Sequence, residues 1–213
     1  MIKTISFDLD GTLVKNTYAD SVWLEGFPKL YAKEKKITIK QAKEFLYTEY
    51  EKVGKDKKEW YDIDWWFKKF KLKEDWRILL NNYRNVIEIF PETKNVIAKL
   101  SKGYELIIIS NAKKEFIDIQ IEETELKSYF NFIFSSLSDF GSVKKIPFVY
   151  KKICKRLGVQ PNEIIHIGDN KEFDFLSPQK IGIKSYYLNR DKTEKGNHVL
   201  YTLTDIERIV FKE

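Results

Sequence analysis

From Phe90 onward, short runs of β-branched and other apolar residues alternate with longer amphipathic stretches, and this alternation restricts the possible fold more than any other feature of the chain. The runs are Glu105-Leu106-Ile107-Ile108-Ile109, Phe132-Ile133-Phe134, Ile164-Ile165-His166-Ile167 and Ser185-Tyr186-Tyr187-Leu188, and Thr4-Ile5-Ser6-Phe7 supplies a fifth near the N-terminus. Strands that are apolar at successive positions are buried on both faces, as in a parallel sheet covered by helices. The intervening spacing predicts helices over 92–100, 113–122, 147–157 and 173–180, with a short one near 205–210.

Residues 15–88 do not share this alternation. Their apolar positions recur at helical spacing, as in Phe45, Tyr50 and Val53 or Trp65, Trp66 and Phe70. The expected organisation is therefore α/β: a Rossmann-like, doubly wound parallel sheet built from 1–14 and 89–213, with an inserted all-helical cap domain over 15–88. Linkers are expected near 14–17 and 84–88. All five Trp (23, 60, 65, 66 and 76) lie in the insertion. Most should build its own core, with one or two free to face a site.

Composition narrows the function classes. With 43% hydrophobic and 33% charged residues and only nine Gly and five Pro, the chain is a folding sequence. One Cys and two His exclude an intramolecular disulfide and a Cys/His zinc cage, and Cys154 sits in a helical pattern that predicts burial. No apolar run approaches the ~20 residues of a membrane span and no basic-then-apolar leader precedes Ile2, so no membrane association and a cytoplasmic location are expected. The net charge of +6 is concentrated in the insertion, where 17 Lys and Arg face 13 Asp and Glu. These charges are interleaved at helical spacing, which describes a solvated face, and no nucleic-acid partner is expected. Nothing in the sequence reads on oligomeric state.

Four signals carry chemistry. In Phe7-Asp8-Leu9-Asp10-Gly11-Thr12-Leu13, two carboxylates spaced i, i+2 at the end of the first strand project together into the crevice where open α/β sheets bind ligands. In Ile107-Ile108-Ile109-Ser110-Asn111, a buried strand ends in a hydroxyl and an amide that could meet a phosphate oxygen, although both are equally ordinary N-cap residues. Gly141-Ser142-Val143-Lys144-Lys145-Ile146-Pro147 places lysines in a loop ahead of a helix. In Ile167-Gly168-Asp169-Asn170-Lys171-Glu172-Phe173-Asp174, a strand ends in an acid and a second follows five residues on; Asp174 alone would also suit the first turn of a helix. Mg²⁺ takes hard oxygen ligands, commonly one or two carboxylates with water and phosphate, so acids from the first and fourth signals could share one ion.

In this order, Asp8-Leu9-Asp10-Gly11-Thr12, Ser110, Lys144 and Gly168-Asp169 with Asp174 resemble the four motifs of the haloacid dehalogenase-like superfamily, and the insertion after the first motif is similar to that of its helical-cap class. The resemblance implies a phosphatase acting on a small phosphorylated metabolite. Asp8 would be the nucleophile, Asp10 the general acid and base, and Lys144 the charge neutraliser. Thr12, Ser110, Asn111 and Lys144 would bind the phosphate, and Mg²⁺ would be held by Asp8, Asp169, Asp174 and the backbone carbonyl of Asp10. The third motif departs from the usual Lys-Pro, leaving Lys144 and Lys145 both available; the spacing to Gly141 and Pro147 favours Lys144. Asp10 argues against a dehalogenase, whose leaving halide needs no acid. A sugar-phosphate mutase, a phosphonate-cleaving enzyme with a Schiff-base lysine, and a nucleic-acid-binding module remain as alternatives.

Overall fold

The structure, a computed structural model, describes residues 1–211. Six strands form one parallel sheet: β1 (Thr4–Phe7), β2 (Glu105–Ser110), β3 (Phe132–Ser135), β4 (Ile164–Gly168), β5 (Lys184–Leu188) and β6 (Val199–Leu200), in the order β3-β2-β1-β4-β5-β6. This is the doubly wound order, and its direction reverses at β1, so the crevice that such sheets offer to ligands opens at the carboxyl end of that strand. Phe7 lies opposite Ile108 on one side and Ile167 on the other, which brings the loops after β1, β2 and β4 together.

The strands alternate between two apolar layers, as a two-residue period requires. Ile5, Phe7, Leu106, Ile108, Ile165 and Ile167 point to one face, and Ile107, Ile109, Phe134 and Ile164 to the other. The two-residue β6 is an addition to the expected strands; it is too short to leave a pattern in sequence.

The helices follow in chain order. Between β1 and β2 run α1 (Thr17–Asp20), α2 (Phe27–Lys35), α3 (Ile39–Val53), α4 (Lys58–Tyr61), α5 (Ile63–Phe70), α6 (Trp76–Asn82) and α7 (Thr93–Leu100). A π-helical stretch over Ser21–Gly26 joins α1 to α2. Beyond β2 come α8 (Lys114–Glu123), α9 (Ser136–Phe140), α10 (Pro147–Leu157), α11 (Ser177–Gln179) and α12 (Glu207–Val210). Helices α1–α6 gather an aromatic core of their own, with Tyr18, Phe27, Tyr50, Trp66, Phe67 and Trp76 buried, and Phe116 of α8 packs into it from the sheet side. The two connections to this helical layer run side by side: Val14 bridges Ile89, and the Lys15 N–H donates to the Glu88 carbonyl at 2.8 Å.

Cys154 is buried against α10's face of the sheet, as expected. Among the described residues, no helix is long and apolar enough to cross a membrane.

Candidate active site

Asp8 is the first residue past β1, and its N–H donates to the Ile167 carbonyl at 2.9 Å, continuing the ladder to β4. Three residues on, Gly11 turns the chain at φ +79°, a conformation that disfavours a side chain. A Cβ there would come within 2.1 Å of the Asp169 carboxylate, so this glycine also permits the loops after β1 and β4 to meet. Asp8, Asp169 and Asp174 each offer a carboxylate oxygen within 4.8 Å of the others, a group that could hold a metal ion.

Asp174 is completely buried in a π-helical turn, Lys171–Leu176, that precedes α11. Asp174 lies in the first turn, as the sequence also allowed, and the N-cap is Asn170, whose side chain accepts from the Glu172 and Phe173 N–H groups. One oxygen of Asp174 accepts from Lys145 at 2.5 Å and from His166 Nε2 at 3.0 Å; the other accepts from the Asn170 N–H at 3.0 Å. Three of roughly four acceptor positions are then used, leaving one for an ion. Burial alone would push this carboxyl up, but Lys145 and then His166 hold it down to about 2. Burial lowers the His166 pKa against the opposing pull of Asp174, which favours the neutral ring. Because the Asp174 carboxylate can only accept, the single ring proton sits on Nε2, and Nδ1 accepts from the Ser6 hydroxyl.

Lys145, and not Lys144, reaches the acids. Its ammonium contacts Asp8 as well as Asp174 and is 1% exposed. Lys144 pairs instead with Asp56 of the helical layer, out in solvent. The expectation placed on Lys144 is corrected by local geometry. The two lysines sit at a bend, where the Ile146 N–H donates to the Lys144 carbonyl at 2.9 Å and the chain turns at Lys145. The Lys145 carbonyl accepts from the Ser177 hydroxyl at 2.7 Å, which anchors this turn against the segment that leads into α11.

Asp8 is raised well above the ordinary carboxylate range, first by burial and then by Asp174 and Asp169, against the opposing pull of Lys145. Three carboxylates against one ammonium leave two negative charges unbalanced in a buried site, which a divalent cation would match. Asp10 lies beside this group with one carboxylate oxygen buried and unpartnered, and burial pushes its carboxyl up to about 6.

The remaining expected residues lie in the loop after β1 and at the end of β2. The Thr12 hydroxyl is buried without a partner. Ser110 caps locally, its oxygen accepting from the Ala112 N–H at 3.1 Å, and keeps its own proton to donate. Asn111 accepts from the Ser136 hydroxyl through its oxygen, so its amide NH₂ remains available.

Sequence reasoning assigned no role to Arg190 or to His166. Arg190 donates to the carbonyls of Gly11 (3.3 Å) and Thr12 (2.8 Å), pairs with Glu92 at 2.7 Å and lies over the Phe90 ring. It thus fixes the loop carrying Asp10. No spacing signal could have revealed it, since it comes 178 residues after Thr12.

A family model described as haloacid dehalogenase-like hydrolase matches residues 5–188. The chain belongs to that family. Among curated relatives, pyrophosphatase PpaX of Bacillus cereus is 25% identical over 189 residues, covering 86% of this chain and 82% of that protein. The (S)-2-haloacid dehalogenase 4A of Burkholderia cepacia is 28% identical over 133 residues, covering 62% of this chain and 54% of that protein. The chain spans about half the length of some of the curated relatives it matches. Among solved structures, a HAD phosphatase from Thermococcus onnurineus superposes with a TM-score of 0.84 at 24% identity, covering 98% of both chains, which establishes a common fold.

Proposed function

We propose that this haloacid dehalogenase-like hydrolase is a Mg²⁺-dependent phosphatase that cleaves a small phosphate monoester through an aspartyl-phosphate on Asp8. The observation that carries the reading is the pairing of two unlike acids. Asp8 is held by Lys145 in a cation-demanding cluster, while Asp10, raised to about 6, keeps a free buried oxygen beside it. Both carboxyls are raised by burial, and their contacts separate them: the one against Lys145 and the acid cluster is placed as nucleophile, the one beside it as acid and base.

The Asp8 carboxylate forms a bond to phosphorus as the bond to the leaving oxygen breaks. Asp10 gives its proton to that oxygen, so the alcohol leaves neutral. A water molecule then bonds to phosphorus, its proton passes to the Asp10 carboxylate, and the acyl–phosphate bond to Asp8 breaks to release phosphate. Lys145 opposes the push of burial on Asp8 and orients it for attack, and Ser110, Asn111 and Thr12 offer neutral donors to phosphoryl oxygens. Mg²⁺, held by Asp8, Asp169, Asp174 and the Asp10 carbonyl, would supply the positive charge that phosphoryl transfer needs.

The PpaX relative, named as a pyrophosphatase, supports phosphoryl chemistry. The dehalogenase relative raises the other family chemistry, in which a departing halide would leave the raised, buried Asp10 without a task. The test is a panel of phosphate monoesters with Mg²⁺, read by phosphate release, beside 2-chloropropionate read by chloride release. Phosphate release that Asp8→Asn abolishes is the expected result; chloride release alone, or phosphate release surviving in Asp8→Asn, would overturn the reading.

A further inference from the structure

A cavity of about 430 Å³ opens beside Asp10, between α8 and the helical layer. Asp10 reaches it while Asp8, Asp169, Asp174 and Lys145 do not, so it lies on the leaving-group side of the acid and not on the phosphoryl side. Its walls are dominated by six rings, Trp23, Tyr47, Tyr50, Trp60, Tyr61 and Phe116, supplemented by Ala19, Leu24 and Ala112. Trp23 and Phe116 are stacked, with planes 4° apart, and Tyr50 meets Trp23 edge-on. Of the polar residues at its rim, Lys113 is already engaged with Asp62 at 2.7 Å and the Asn111 oxygen with Ser136, which leaves the Asn111 amide NH₂ and the exposed Glu51 as the few groups open to a ligand. The buried Tyr50 hydroxyl has no partner.

We infer that this cavity receives the alcohol half of the substrate and selects a planar, largely apolar ring system, with Trp23, Trp60 and Phe116 as its specificity-determining residues; the inference rests on the phosphatase reading above. A polyol placed there would lose water from several hydroxyls and find few partners, which strongly disfavours sugar phosphates. An aromatic ring loses no hydrogen bonds on entry and gains stacking and edge contacts from walls that are already arranged. The volume is close to three times the ~150 Å³ cavity known to hold benzene, so one or two fused rings fit.

The experiment compares 2-naphthylmethyl phosphate with ribose 5-phosphate, both esters of primary alcohols and so of similar intrinsic reactivity, using the full chain and Mg²⁺. kcat/KM for the naphthyl ester should exceed that for the sugar ester on the order of 10- to 100-fold, the range expected from burying one aromatic group. Trp60→Ala should narrow the ratio. Tyr47→Ala, at a half-exposed rim position whose loss does not endanger the fold, should narrow it less. The product alcohol 2-naphthylmethanol should inhibit competitively and quench tryptophan fluorescence, and ribose should do neither. Hydrolysis of both esters with the sugar ester preferred overturns this inference and leaves the phosphatase reading intact. Hydrolysis of some other phosphate monoester but of neither of these overturns this inference alone, and failure to hydrolyse any phosphate monoester overturns both.

Discussion

Replacing Lys145 by methionine keeps most of the side-chain volume and removes one buried charge from between two buried carboxylates. The Lys145 side chain is 1% exposed, and those of Asp8 and Asp174 are 9% and 0% exposed. Breaking a buried pair from one side costs about 3–5 kcal/mol because the partner is left uncompensated. With a urea dependence of roughly 2–3 kcal/mol per molar for a chain of this size, the unfolding midpoint of the metal-free protein should fall by about 1–2 M. The sign with pH follows from the same groups. Asp8 and Asp174 without their ammonium have folded pKa values moved upward, and a raised carboxyl gives stability that is present at low pH and lost as pH rises. The deficit should therefore be largest at pH 8 and shrink towards pH 5. Turnover should fall by roughly 10²–10³, the usual loss when one preorganised charge is removed from a reacting site. Lys144→Met is the control, since its partner Asp56 lies in solvent: its urea midpoint and turnover should match the parent protein. Urea unfolding followed by circular dichroism, with phosphate release on the same samples, decides the matter. A Lys145→Met protein with parental midpoint and turnover, or a Lys144→Met protein that loses them, would refute the assignment of the inner lysine.

Asp10→Asn should lower turnover by about 10²–10⁴ while stabilising the metal-free protein. The Asp10 carboxyl is raised to about 6, so ionising it opposes folding above that pH and not below about 4; thermal melts in chelator should show the variant ahead at pH 7.5 and level at pH 4. Arg190→Gln should reduce kcat by releasing the Gly11 and Thr12 carbonyls. Burial would raise Glu92, but Arg190 holds it below the usual range, which contributes stability above the unfolded carboxylate pKa that is lost as pH falls through the folded value. The stability deficit of Arg190→Gln should accordingly be seen at pH 7 and fade in acid; a deficit that grows towards acid would contradict this.

Much of the fold was legible because its strands are buried on both faces. The runs at Thr4, Glu105, Phe132, Ile164 and Ser185 each became a strand, and the helical spacing over 15–88 became a helical layer. The short elements left too few residues to form a period, as at β6 and α9. The predicted helix over 173–180 is a π-helical turn followed by α11, a local widening that an i, i+4 pattern does not reveal.

The acids of the site were readable from their strand ends, since a parallel sheet brings those ends together. The lysine was not, because two adjacent lysines are alike in sequence, and the bend that separates them is held partly by contacts from afar, such as the Ser177 hydroxyl on the Lys145 carbonyl, 32 residues away. Arg190 and the Ser6–His166–Asp174 chain are long-range in the same sense: each residue is ordinary in its own segment and gains its role only from cross-strand or loop contact. The tryptophans divided as their number required. Trp66 and Trp76 fill the helical layer, while Trp23 and Trp60 remain to line the cavity.

The central claim is that Asp8 carries the phosphoryl group, and trapping it is the most direct measurement. Protein turning over a phosphate monoester in Mg²⁺ is quenched in acid, reduced with borohydride, digested and sequenced by mass spectrometry. An acyl phosphate on Asp8 is reduced to homoserine, so the account predicts homoserine at position 8, dependent on substrate and on Mg²⁺. Unmodified Asp8 under conditions of measured phosphate release, or homoserine at another acid, would contradict it.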